Sequence, residues 1–151
     1  MLACLIQPPT YEVFLEDYEQ AHAAYIRAVD DFHNFPTGDK SPESYEASYR
    51  LGLACDRLNA ATDALMTAPA PNLGAVAFKM ERLLSYMEEI ATDDAPAIAL
   101  QQAIAAAKSG DARTARKFSV PAVKWADGEF NYPGRKCPER TIFTDLQRLS
   151  R

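Results

Sequence analysis

Apolar residues recur at alternating intervals of three and four along most of this chain, the spacing of one face of an α-helix. Between Tyr11 and Phe35 the set is Phe14, Tyr18, Ala21, Tyr25, Val29 and Phe32. It predicts an amphipathic helix of about six turns with Thr10 as its N-cap. Pro36 disfavours helical conformation at Phe35 and ends it. Ser41-Pro42-Glu43 opens a second helix, with a capping hydroxyl, a proline at the first position and an acid at the positive end of the dipole. Leu51, Cys55, Leu58, Thr62 and Leu65 form its stripe, with Tyr45 and Tyr49 beside it. Ala68-Pro69-Ala70-Pro71 stops that helix, and Leu73, Val76, Met80, Leu83, Met87 and Ile90 make the heptad seam of a third. A fourth starts at Asp94-Ala95-Pro96, carries an Ala-rich face suited to close approach, and is closed by Gly110. Short connections predict that these helices pack as an antiparallel bundle of about four over residues 10–110.

Beyond Gly110 the pattern changes. Val123 to Lys136 reads VKWADGEFNYPGRK, and Asp127-Gly128 is a favoured type I′ turn dipeptide. Pairing outward from a two-residue loop sets Trp125 opposite Phe130 and Val123 opposite Tyr132, all on one face because strand side chains alternate. The expectation is a β-hairpin whose aromatic face covers apolar surface, since an isolated hairpin is marginal in water. Ile142, Phe143, Leu146 and Leu149 then predict a short terminal helix. The expected fold is mostly α: a bundle with a C-terminal β-hairpin and short terminal helix, in a single domain over 1–151 whose basic, hairpin-containing tail is 111–151.

Leu65 to Leu83 reads LMTAPAPNLGAVAFKMERL. It resembles a motif of small, uncharacterised helical proteins of alphaproteobacteria and their prophages. There an apolar helix end meets Pro-Ala-Pro, a cap, and a helix bearing Leu, Lys and Glu. Pro69, Ala70, Pro71, Asn72, Leu73, Lys79 and Glu81 are the matching positions, with Asn72 where the motif has Asp. The resemblance covers residues 45–90 and implies a helical protein of bacterial or phage origin, with no activity attached.

Composition narrows the class. A chain of 151 residues, 48% hydrophobic and 25% charged, fits a soluble globular domain and is too apolar for disorder. The opening MLACLI lacks a basic segment and meets Gln7-Pro8-Pro9, and no other apolar run approaches membrane length, so a cytoplasmic location with no membrane partner is expected. Cys4, Cys55 and Cys137 are too scattered for a disulfide framework or zinc site, and Cys55 reads as a core residue. Net charge is -5, but 1–109 carries 7 basic against 16 acidic residues while 110–151 carries 9 against 5. An acidic body is therefore followed by a basic tail.

Candidate chemistry is sparse. His22 and His33 each follow an acid by three positions, the spacing of di-iron bundle ligands. Both lie on one helix, about 16 Å apart, so they share no ion and read as surface histidines. Asp30-Asp31, Glu88-Glu89 and Asp93-Asp94 are adjacent and point apart, which suits solvated faces rather than a paired acid and base. No nucleophile motif, phosphate loop or dinucleotide fingerprint occurs in the sequence. No catalytic residue, cofactor or metal is therefore expected.

Binding remains. Lys124, Trp125, Phe130, Tyr132, Arg135 and Lys136 are the candidate partner-binding residues, basic groups interleaved with aromatics. The expected function is that of a small non-enzymatic interaction or regulatory protein with a protein partner, a homodimer also fitting. One concrete form is a phage- or mobile-element-encoded inhibitor of a host defence protein. The alternatives are a nucleic-acid-binding regulator using the basic aromatic tail, and an enzyme whose site forms between subunits.

Overall fold

The computed structural model describes residues 9–90, 94–131 and 137–151. Among them the regular structure is helical throughout: α1 Tyr11–His33, α2 Pro42–Thr67, α3 Leu73–Ile90, α4 Asp94–Lys108, α5 Ala112–Glu129 and α6 Arg140–Leu149. None of the described helices is long and apolar enough to cross a membrane. The chain divides into two compact units, Met1–Leu65 and Met66–Arg151.

The first unit is a hairpin of α1 and α2. Asp17 near the start of α1 lies 3.8 Å from Arg57 late in α2, whereas Asp31 near its end shares a depression with Glu43, Glu46 and Arg50 early in α2. The helices therefore run antiparallel. Ser41 caps α2 as expected, its Oγ accepting from the Ser44 amide at 3.2 Å. Thr10 occupies the N-cap of α1 in extended conformation without a side-chain hydrogen bond. Tyr11, Tyr18 and Ala21 are the buried residues of α1, while Phe14 on the same helix, like Leu58 and Cys55 on α2, is only half-buried.

The second unit is a closed ring of four helices: α3 packs on α4, α4 on α5, α5 on α6, and α6 returns to α3. Val76, Met80, Leu83 and Met87 of the α3 seam are all buried. Asn72 caps α3 by accepting from the Ala75 amide at 2.9 Å. Gly110 ends α4 with φ +84. There the Gly110 amide donates to Ala107 and the Asp111 amide to Ala106, so a residue free to adopt positive φ satisfies two terminal carbonyls. Asp111 then caps α5 by accepting from the Thr114 amide at 3.0 Å.

The expected β-hairpin is absent, and this corrects the predicted fold class. Residues 112–129 form one helix that runs through Asp127-Gly128. The bundle is accordingly made by α3 to α6, with the supposed hairpin segment as one of its walls. Ala115, Ser119, Ala122 and Ala126 recur at four, three and four and are buried, and α4 presents Ala103, Ala106 and Ala107. Small side chains on both helices let the backbones approach closely, so α4 and α5 share the most extensive helix contact in the unit. A hairpin would forfeit that burial. Pro121 sits inside α5, and its ring removes one intrahelical bond. It is exposed, as is Lys117, whose carbonyl loses its partner, so water can replace that bond.

Gly128 lacks the positive φ that a type I′ turn demands, and a Cβ built on it meets nothing within 4 Å. Gly128→Ala should therefore raise stability in urea unfolding, by about 0.5–1 kcal/mol or somewhat less so near a helix end. A clear loss would restore the turn.

Candidate functional site

Of the residues expected to bind a partner, Lys124, Trp125 and Phe130 lie at the end of α5, whereas Tyr132, Arg135 and Lys136 fall outside the described residues. Trp125 and Phe130 do meet, edge to face with centroids 5.5 Å apart. They meet as neighbours across the last helical turn, not as a cross-strand pair, because Phe130 is the C-cap of α5 and its amide donates to the Ala126 carbonyl. Both are half-buried. Asp127, assigned by its sequence to a turn, instead accepts from Arg140 Nε at 3.1 Å and ties α5 to the start of α6. Lys124 is exposed, and by helical spacing it shares the outer side of α5 with Arg113 and Lys117, opposite the buried alanines.

The most elaborate polar arrangement is buried and lies in the second unit. Pro69 and Pro71 have no amide hydrogens, so the connection between α2 and α3 can make few backbone bonds of its own. Ala68 and Ala70 are nevertheless buried, and their polar groups need partners there. Side chains from α3 and α6 provide them. Lys79, fully buried, donates through Nζ to the Ala68 carbonyl and to Asp145 Oδ2 at 2.7 Å. Asp145 Oδ1 accepts from the Ala70 amide at 3.1 Å and from Arg148 at 3.2 Å. Arg148 also donates to the Ala70 carbonyl, and the Thr141 hydroxyl reaches the Met66 carbonyl. Burial pushes the Lys79 ammonium below its ordinary pKa, and Arg148 adds to this, while the hydrogen bond and charge of Asp145 oppose it. The arrangement acts chemically as a clamp on the connection.

A sequence signal for the clamp existed. Lys79 falls three residues after Val76 and four before Leu83, on the inward stripe of α3. Asp145 stands likewise between Ile142 and Leu146, the two buried apolar residues of α6. A charged residue on the apolar stripe of an amphipathic helix demands a buried partner.

The accessible features are in the first unit. Tyr45, Tyr49 and Leu53, at successive intervals of four on α2, are 62%, 67% and 52% exposed. They form a row on the outer side of the helix. Gly52 lies beside it and would accept a Cβ without touching anything. At its N-terminal end the row runs into an open cavity of about 400 Å³ at the α1–α2 turn, lined by Phe32, Phe35, Tyr45 and Asp39 among others. His33 lines the same cavity and tilts against Phe32 with centroids 6.0 Å apart, while His22 stacks on Tyr18 at 5.9 Å. Among the described residues no group of three or more His, Cys, Asp or Glu is placed to hold a metal ion.

Cys55 accepts a long contact from Asn59 at 3.8 Å, and the Cys137 thiol donates to Glu139 Oε2 at 3.1 Å. Cys4 lies outside the described residues. No protein-family model, curated protein or solved structure matches the chain.

Proposed function

We propose that this protein works by binding another protein, and that the outer face of α2 is the surface it offers. The observation carrying this reading is the row Tyr45, Tyr49 and Leu53, three large side chains held more than half exposed on one helix. Tyrosine suits such a role, because it supplies broad contact area and a hydroxyl at a low entropic cost. A helix face of this kind docks into an apolar groove through residues at intervals of three and four. Inhibition of a host defence protein by a phage or mobile element is one form such binding can take.

Replacing Tyr45 and Tyr49 together by Ser tests the reading. Both are so exposed that thermal stability should change little. Pull-down from the native host should recover a partner with the parent protein and lose it, by at least about tenfold, with the double variant. Recovery of the same partner by both proteins would remove α2 from the interface.

A nucleic-acid reading has one observation in its favour, the exposed row of Arg113, Lys117 and Lys124 on α5. Salt-sensitive retention on single-stranded DNA that is indifferent to the tyrosine substitutions would support it over the first.

A further inference from the structure

We propose that the cavity at the α1–α2 turn receives a lysine or arginine side chain from a basic segment of the partner, a proposal that rests on α2 being the binding face. Three aromatic residues, Phe32, Phe35 and Tyr45, line this cavity together with one carboxylate, Asp39. Asp39 Oδ1 is committed to the Ser41 amide at 2.8 Å, and no hydrogen bond to its Oδ2 is made among the described residues. Long cationic side chains have an apolar stem and a charged head, which is the pairing that aromatic walls and a carboxylate accommodate.

Charge selects the partner class. Residues 1–65 contain 4 Lys and Arg against 11 Asp and Glu, a net of -7. On the other side of the turn Asp31, Glu43 and Glu46 line a depression that shares Phe35 with the cavity, and Arg50, the ion-pair partner of Glu46, leaves it a net negative charge. An acidic segment would be repelled there. A free small amine would use the cavity and leave the neighbouring acids and the Tyr49–Leu53 row without a role, whereas a peptide chain engages all of them. The occupant is therefore a basic segment that also carries apolar residues for the α2 row.

The test uses the full chain, isotope-labelled, and three short peptides: Lys/Leu, Glu/Leu of the same spacing, and Lys/Ser. The Lys/Leu peptide should shift the amides of Phe35, Gly38, Asp39 and Tyr45. Its affinity should fall about tenfold with Phe35→Ser and clearly with Asp39→Asn, which retains an acceptor for Ser41 while removing the charge. Asp39→Asn also serves as the safeguard if Phe35→Ser fails to fold. Equal binding of the Glu/Leu peptide would overturn the charge argument. Equal binding of Lys/Ser, or Lys/Leu shifts away from the turn, would reduce the effect to diffuse attraction and overturn the site. Peptides that fail to bind while the native partner is still lost with the Tyr45/Tyr49 variant would sink this proposal alone. A partner indifferent to those tyrosines would sink the reading beneath it.

Discussion

Lys79→Met should destabilise the second unit by about 3–5 kcal/mol, read from urea unfolding at neutral pH. Methionine fills much of the space of the lysine stem but leaves two groups without their donor. The Ala68 carbonyl loses one hydrogen bond, and buried Asp145 keeps its charge with only the Ala70 amide and half-exposed Arg148 to answer it. Asp145→Asn creates the mirror defect, an ammonium at 0% exposure without its counter-ion. Combining the two removes both charges while retaining an amide oxygen for Ala70. The double variant should then be less damaged than the sum of the singles, with a coupling of about 1–3 kcal/mol. A loss below about 1 kcal/mol for Lys79→Met would place the ammonium in water.

The same residue sets a pH dependence. Because the folded pKa of Lys79 is depressed, the unfolded chain holds the extra proton between that lowered value and the ordinary one of 10.5. Stability therefore gains from this group as pH rises through that window, and Lys79→Met should abolish the gain.

The second large effect is expected at Leu83. It lies on the α3 seam at 1% exposure, between buried Met80 and Met87. Leu83→Ala should cost about 2–5 kcal/mol, the spread reflecting how far the surroundings collapse into the vacated space. Leu83→Met conserves volume, and its cost should stay below about 1.5 kcal/mol. If alanine costs less than about half a kilocalorie, Leu83 does not belong to the core.

How much of this was legible in the chain depended on side-chain size and sequence separation. The α3 seam was plain because large apolar residues repeat there, and Ser41 and Gly110 announced helix ends through local chemistry alone, while the cap at Asn72 came with the resemblance. α5 was hidden for the opposite reason. Its buried face is Ala115, Ser119, Ala122 and Ala126, residues too small to stand out against Trp125 and Phe130, whose spacing also satisfies a hairpin. The dipeptide Asp127-Gly128 is a turn signal only when nothing competes, and the close fit to α4 competes successfully. The Lys79–Asp145 pair could be suspected from each helix singly but not matched, since 66 residues separate its members. The row on α2 was visible as Tyr45 and Tyr49 beside the stripe. Their exposure follows from α2 turning Ser44, Ala47, Ala61 and Leu65 inward instead.

The clamp also has a consequence for how the chain matures on the ribosome. α3 emerges carrying an ammonium that must be buried, yet the carboxylate that accepts it emerges 66 residues later. The hydroxyl and guanidinium that hold Met66 and Ala70 follow those residues by 75 and 78 positions. Until α6 has left the exit tunnel, α3 to α5 can pack and Lys79 can serve the Ala68 carbonyl, but the Met66 and Ala70 carbonyls lack the partners that hold them in the finished unit. Closure of the clamp should therefore wait for α6, and a polypeptide interrupted before Thr141 should leave the connection before α3 accessible to protease.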